Sequence, residues 1–358
     1  MPAKIRSIPA RDLNVDHVAA WSSILDQCDL LESPYLRPEF ARAVGSVRND
    51  VEVAVVECDD EPMAFLPFRR MAWGAGRPAG GWLANFQAII SRPDFHVDPV
   101  ALVRACGLRT WRFDQLLLPQ KSLAPFIWRS WDAPYVDLSN GFEGYCRRLR
   151  IGRNRLTELQ RQQRKMSKDL GEVRFEAHVG SRDILKTLFD WKGSQYERSG
   201  QRNIFASSWV CELLDLLLEY QCEELSSMLS VLYTGDRVAA VAYTLRSGPN
   251  LHGWFTTFDR ELSTYSPGML LLMEIFRAAE SLGIRRVDLG KGPEAYKQRF
   301  MTDASRVYEG TIDASTMVSS MRHGWWRTKD WVRASRLANT ARASLKLVRG
   351  VHGWLEMG

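Results

Sequence analysis

Residues 252–300 read HGWFTTFDRELSTYSPGMLLLMEIFRAAESLGIRRVDLGKGPEAYKQRF. The opening stretch, about Leu251–Phe258, is rich in β-branched and aromatic residues and ends at Asp259, which predicts a strand whose acidic end caps the following loop. A polar loop leads to Tyr265-Ser266-Pro267-Gly268, and the apolar run Met269–Leu282 then predicts a helix that stops at Gly283. Ile284–Leu289 reads as the next strand. Strand, loop, helix, strand in so short a space is an α/β signature. Ser266 is suited to the N-cap and Pro267 to the first helical position, while Gly268 has no side chain to block approach. Such a helix start offers unpaired amides and a positive dipole end to a pyrophosphate; ordinary good capping reads the same way.

The strand RRVDLG runs into Gly290-Lys291-Gly292-Pro293-Glu294, and a helix begins at Ala295-Tyr296-Lys297. Gly290, Gly292 and Ala295 loosely match G-x-G-x-x-A. The dinucleotide fold needs further alternating strands and helices after that motif, and too little chain remains. What the segment does supply is convergence. Asp288, Lys291, Glu294, Tyr296 and Lys297 cluster near a strand end, where α/β sites form.

Upstream, Met228–Tyr233 and Arg237–Arg246 flank the turn Thr234-Gly235-Asp236 and predict a hairpin; helices are expected over Ile184–Gly200 and Trp209–Tyr220, and a strand over Val173–Ala177. The first half has the same order. A helix is expected over His17–Cys28, then a strand at Val51–Glu57, a turn at 59–62 and a strand at Met63–Arg70. The glycine-rich 74–81 stretch reads as a loop, followed by a strand at Trp111–Leu118. Two halves that each open with helices and continue into a hairpin suggest duplication. At 358 residues the chain is long enough for two cores. The expected architecture is α/β with mixed sheet, in two tandem lobes over 1–134 and 135–320, with a basic helical tail over 321–358.

Arg147, Arg148, Arg150, Arg153, Arg155, Arg161, Arg164, Lys165 and Lys168 interleave with Leu149, Leu156, Leu159 and Met166, predicting one amphipathic basic helix that ends near Gly171. It is either a solvated face or a contact for a polyanion. The tail carries Arg322, Arg327, Lys329, Arg333, Arg336, Arg342, Lys346 and Arg349 with Trp325, Trp326, Trp331 and Trp354. It either packs on the body or docks on an anionic membrane. The formal charge of +6 attracts polyanions without selecting one. Hydrophobic residues at 45% and charged ones at 25% fit a globular protein. No run approaches the ~18–20 apolar residues of a membrane span, and the N-terminal MPAKIRSIPARDL lacks the apolar core of a signal peptide. The six cysteines are scattered without paired short spacings, so neither a metal knuckle nor a disulfide framework is expected. These features predict a cytoplasmic protein without a metal, peripheral at the inner membrane if the tail docks.

The run F-D-R-E-L…Y-S-P-G-M-L-L…G-I-R-R-V-D-L-G-K-G-x-E-x-Y-K-Q-R-F resembles the GNAT-like acetyltransferases of the CelD/BcsL cellulose-biosynthesis group, which are in turn similar to the FemABX peptidyltransferases. The resemblance extends to SPYLRPEF at 33–40, AFLPFRR at 64–70 and GG-x-L-x-N-FQ at 80–87, and spans about residues 15–315. It implies two GNAT-like lobes, the second holding an acyl-CoA donor such as acetyl-CoA, and a small-molecule or glycan acceptor. Tyr265, Ser266, Pro267, Gly268, Met269 and Lys291 are the donor-binding residues expected on this basis, with Ser266-Pro267-Gly268 replacing the Q-x-x-G-x-G/A loop of ordinary GNAT enzymes. FemABX relatives use aminoacyl-tRNA, so a tRNA donor contacting the basic helix stays as an alternative, although nucleic acid is not the partner favoured. A non-catalytic component of a polysaccharide-synthesis complex is the other.

Acyl transfer needs an oriented donor, a base for the acceptor proton and support for the leaving thiolate. Tyr296 is the candidate donor of a hydrogen bond to that thiolate, as GNAT enzymes often place a tyrosine there; a half-buried packing tyrosine is the plain alternative. Asp288 is the candidate base or acceptor orienter, or else the partner of Arg286. Lys297, with Arg299, contacts donor phosphate or the developing oxyanion, or is a solvated helix charge. His252 lies on the strand beside the cleft and has a structural role on the plainest reading.

Overall fold

The two halves read from the sequence join into one mixed sheet with helices on both faces in the computed structural model, which describes residues 3–117, 121–149, 153–292 and 294–315. The strands are β1 (Lys4–Pro9), β2 (Val51–Cys58), β3 (Glu61–Arg70), β4 (Ala75–Pro78), β5 (Ile90–Ser91), β6 (Thr110–Leu116), β7 (Ile127–Asp137), β8 (Val173–Glu176), β9 (Ser226–Thr234), β10 (Arg237–Ser247), β11 (Asn250–Phe258), β12 (Arg286–Asp288) and β13 (Asp303–Asp313). The helices are α1 (Val15–Leu25), α2 (Pro38–Val47), α3 (Pro99–Ala105), α4 (Gly141–Arg148), α5 (Arg153–Leu170), α6 (Arg182–Arg198), α7 (Ser208–Leu218), α8 (Pro267–Ala278) and α9 (Ala295–Phe300). The tail at 321–358 lies outside the described residues.

Both expected hairpins form. Asp59 and Asp60 take positive φ, as the tight turn between two twisted strands requires, and Gly235 does so in the second hairpin. The sheet order is β1-β2-β3-β4-β6-β13-β7-β12-β11-β10-β9-β8, with β5 added to the edge of β3. Read from either end, the order is four antiparallel strands, a parallel neighbour, then an antiparallel one. The parallel pairs are β4 with β6 and β11 with β12. The duplication suspected from the hairpins is thus a repeat of topology. The lobes also exchange strands: β7, most of which belongs in chain order to the first lobe, pairs with β12, and β13 inserts between β6 and β7.

The cores follow this symmetry. Trp21, Phe40 and Val44 from α1 and α2 share one apolar cluster with Leu188, Leu213 and Leu217 from α6 and α7, so a single core runs under both lobes on one face. On the other face α3 covers the first lobe, while Tyr145, Met166, Leu271 and Phe276 from α4, α5 and α8 cover the second. Three expectations are corrected. The basic helix is two helices, because Leu149 leaves the helical region with ψ near 59° and α5 starts afresh at Arg153. The helix expected to reach Leu282 ends at Ala278, and the glycine-rich stretch contains β4. Among the described residues no helix is long and apolar enough to cross a membrane.

β13 reaches its register through Gly310, where the pairing shifts against both neighbours. A Cβ there would collide with the Phe126 carbonyl oxygen and the Phe113 ring. Gly310→Ala is therefore expected to destabilise the protein by about 1–3 kcal/mol, the usual cost of overpacking. Urea unfolding checks this, and an unchanged midpoint would mean that the inter-lobe seam is not tightly packed.

Candidate active site

β11 and β12 touch for three residues only: Asn250 against Arg286, Leu251 against Val287 and His252 against Asp288. The contact is close. A Cβ on Gly253 would press within 3.3 Å of the Asp288 carbonyl oxygen. The strands then part. β11 continues to Phe258, whereas the Leu289 N–H bonds across to the Pro134 carbonyl at 2.9 Å and the chain turns away through Gly290 at φ 70°. Beyond His252, β11 has no paired strand on that side among the described residues. In the ladder to β10, Tyr243 faces Phe255 and Thr244 faces Gly253, so Trp254 is bulged out where the parting begins.

The helix after β11 begins beside the far end of that strand. Ser266 occupies the N-cap as expected, but its side chain makes no capping bond and its backbone is left-handed (φ 54°, ψ 48°). A preceding 3₁₀ turn, Arg260–Tyr265, ends at the same residue, and the chain must reverse there before α8 can start. Left-handed backbone at a non-glycine residue costs on the order of 1 kcal/mol or more and recurs at functional sites. Pro267, the first helical residue, has no N–H; the Met269 and Leu270 amides both donate to the Ser266 carbonyl, at 2.9 and 3.1 Å. The Gly268 amide is left with no acceptor among the described residues. Its side of the helix is narrow, since a Cβ would lie 3.2 Å from the Phe258 ring. Tyr265 donates to Asp169 at 2.9 Å and has Lys165 5.6 Å from its ring centre, so basic α5 packs beside the helix opening. Met269 packs against the core of the second lobe.

The segment after β12 is fixed from within. Lys297 is buried rather than solvated, and its Nζ donates to the Gly290 and Lys291 carbonyls, both at 3.1 Å, and pairs with Glu294 at 3.0 Å. Three acceptors match the three protons of an ammonium. Arg299 is exposed. Tyr296 is half-buried beside the α8 core, and burial, aided by Glu294, pushes its phenol up to about 12. Lys291 reaches the first lobe, donating to the Asp114 carbonyl at 2.9 Å. Asp288 is gripped by Arg286 through two bonds of 2.8 and 3.1 Å, and Arg286 also holds Ser305 at 2.7 Å. Burial pushes the Asp288 carboxyl up while Arg286 pulls it down. His252, beside it in register, is fully buried with no partner for either ring nitrogen among the described residues, and burial holds it neutral with its pKa lowered to about 3.

Sequence reasoning expected a helix over Ile184–Gly200, where α6 lies, but missed Lys192 and Tyr196 on it. Lys192 turns inward, donating to the Thr256 carbonyl of β11 and to Gln195 Oε1, both at 3.1 Å. Tyr196, one turn on, lies against it with the ring centre 5.4 Å from Nζ. The signal was present in the spacing: Leu185 and Leu188 mark the buried face of α6, and Lys192 and Tyr196 continue that face at helical intervals. Among the described residues no group of three or more His, Cys, Asp or Glu could hold a metal ion. A cleft of about 500 Å³ lined by Arg246, Pro249 and Arg285 lies at the other end of β11 and β12, before the strands begin, and so is remote from the parting.

Residues 153–298 match the family model of the acetyltransferase (GNAT) domain. No curated protein matches the chain. Solved structures that share its fold at low identity include three of similar extent. The C-terminal DUF2156 domain of a protein assigned as a lysylphosphatidylglycerol synthetase in Agrobacterium fabrum is 14% identical, with a TM-score of 0.52 over 88% of this chain and 96% of that one. A tandem GNAT protein from the clavulanic acid biosynthesis pathway is 9% identical, with a TM-score of 0.50 over 88% and 99%. FemX is 10% identical, with a TM-score of 0.53 over 87% and 97%. The chain therefore has the GNAT fold, and the stretch that matches the acetyltransferase (GNAT) domain contains α6, β11, α8 and β12, the elements that line the parting.

Proposed function

We propose that the chain is an acyltransferase that moves an acetyl or other acyl group from acyl-CoA to an amine or hydroxyl acceptor in the parting between β11 and β12. The observation that carries this reading is the coincidence of an open backbone edge on β11 with the start of α8, whose Gly268 amide is unspent. A thioester carrier combines an anionic diphosphate with an amide-bearing arm. The amide of Gly268 and the positive end of α8 suit the first, and an unpaired strand edge suits the second. Tyr265, Ser266, Pro267 and Met269 shape the helix opening, and Lys165 adds positive charge beside it. Asp288, held by Arg286, orients the strand end from beneath. Tyr296, protonated at neutral pH, supports the departing sulfur. The second lobe, from about residue 135, is then the catalytic one. Membership of the CelD/BcsL group and an acceptor in polysaccharide or cell-envelope synthesis rest on the motif run. Aminoacyl transfer from tRNA has one observation of its own, the basic α5 beside the opening.

Acetyl-CoA at about 100 times its Kd is expected to stabilise the native state by about 2.7 kcal/mol, read as a rise in Tm. Gly268→Asp places a carboxylate at the amide in question and is expected to abolish the rise while leaving the ligand-free Tm within a few degrees. Stabilisation by tRNA that fades with salt, with none by acetyl-CoA, would favour the aminoacyl reading and end this one. Tyr296→Phe is expected to lower kcat about 100-fold or more with KM for the donor unchanged. Unaltered turnover in steady-state assays would remove Tyr296 from the chemistry.

A further inference from the structure

A lysine on a surface helix ordinarily lays its stem along the protein and keeps its ammonium in water. Lys192 does the opposite. Its Nζ lies between α6 and the edge of β11 that β12 has left, bonded to the Thr256 carbonyl and Gln195 Oε1. Those two acceptors match the two N–H bonds of a neutral amine and leave its lone pair unspent. Lys297, across the parting, shows the contrasting arrangement, with three acceptors for three protons.

We infer that Lys192 is the base that takes the proton from the acceptor's attacking nitrogen or oxygen. The inference rests on the acyl-CoA reading above. As the acceptor atom bonds to the acyl carbon, its proton passes to the Lys192 lone pair; the carbon–sulfur bond breaks, and the sulfur takes a proton from Tyr296 or from solvent. Lys192 then returns its proton to solvent. The charged and titratable groups facing Nζ are Tyr196 on its own helix and Glu294 and Lys297 from the segment after β12, while β11 presents the Thr256 carbonyl. Burial, with Lys297 adding to it and Glu294 opposing, brings the amine down to about 8. The neutral form therefore predominates above pH 8, and turnover governed by it climbs through that pH to a plateau.

The test uses the full chain. Trace labelling with acetic anhydride across pH 6–11, read by mass spectrometry of the Lys192 peptide, is expected to give a titration near pH 8, apart from ordinary lysines near ~10.4. Lys192→Met is expected to fold with a Tm lowered by no more than the loss of one hydrogen bond, that to the Thr256 carbonyl, keep its stabilisation by acetyl-CoA and lose about 10²–10⁴-fold in kcat together with the rise through pH 8. Lys192→Arg is expected to fail equally, since a guanidinium does not release its proton. Labelling that follows the ordinary lysines, or a Met variant within threefold of the parent that keeps the pH limb, overturns the inference while acetyl-CoA binding still stands. Absence of acetyl-CoA stabilisation in the parent protein overturns the donor reading, and the base role with it.

Discussion

The parting of β11 from β12 after three residue pairs is the constraint from which the rest of the second lobe follows. A sheet interior tolerates no unpaired backbone, because a buried amide or carbonyl without a partner costs about as much as a lost hydrogen bond. A strand that runs on alone must therefore find partners of another kind. β12 finds them in β7, through the Leu289 amide and Pro134 carbonyl. β11 finds one in the side chain of Lys192 at Thr256. α8 begins beside the end of β11, where a Cβ on Gly268 would lie 3.2 Å from the Phe258 ring and 3.9 Å from the Thr256 methyl.

The first lobe meets the same problem and solves it differently. β4 and β6 are also parallel and also part quickly, after Ala75–Gly76 against Thr110–Trp111. There the gap is filled by the chain itself. β5 adds to the same edge of β3 that β4 uses, and Gln87 bridges to Leu116 of β6. The Gln87 side chain accepts from the Asp114 and Gln115 amides, and its carbonyl takes the Leu117 amide. Residues 87–91 occupy in the first lobe the place that is open in the second. The repeat in topology is thus not a repeat in chemistry: among the described residues, the place that is open beside β11 is filled beside β4.

Much of this was legible in the residues. The hairpins follow from alternation plus turn chemistry, and the strand–helix–strand unit at 251–289 from apolar runs punctuated by Asp259, Pro267 and Gly283. β13 escaped because it reads as mixed: Arg306 and Glu309 sit on a strand flanked on both sides by others, with their charges paired across it to Asp132 and Arg112. No local pattern announces a strand whose partners lie about 170–200 residues away. Lys297 was read as a contact for donor phosphate or the oxyanion, or else as a solvated charge, because spacing cannot reveal that two carbonyls and Glu294 converge on it. Ser266 fitted a capping preference, yet the 3₁₀ turn before it forces a backbone in which its side chain cannot reach the amides. Lys192 was recoverable in principle, as a lysine on the apolar stripe of α6. Only the packing of that helix over β11 reveals what the stripe faces.

The strand exchange gives the first lobe a part in the opening of the second. β12 is three residues long, too short to hold its place through β11 alone. Its other edge pairs with β7, which belongs in chain order to the first lobe, and β7 is backed by β13 along most of its length. Arg286 ties this arrangement together: it spans from Asp288 on β12 to Ser305 on β13 and lies 3.8 Å from the Tyr135 ring centre on β7. An ion pair so buried contributes little net stability, because desolvation offsets its attraction, but breaking it would strand a carboxylate in the sheet. Its effect is to fix which strand lies where. The position of β12, and hence the width of the gap beside β11, is set by the seam between the lobes, so the first lobe acts as the abutment against which the second is held open.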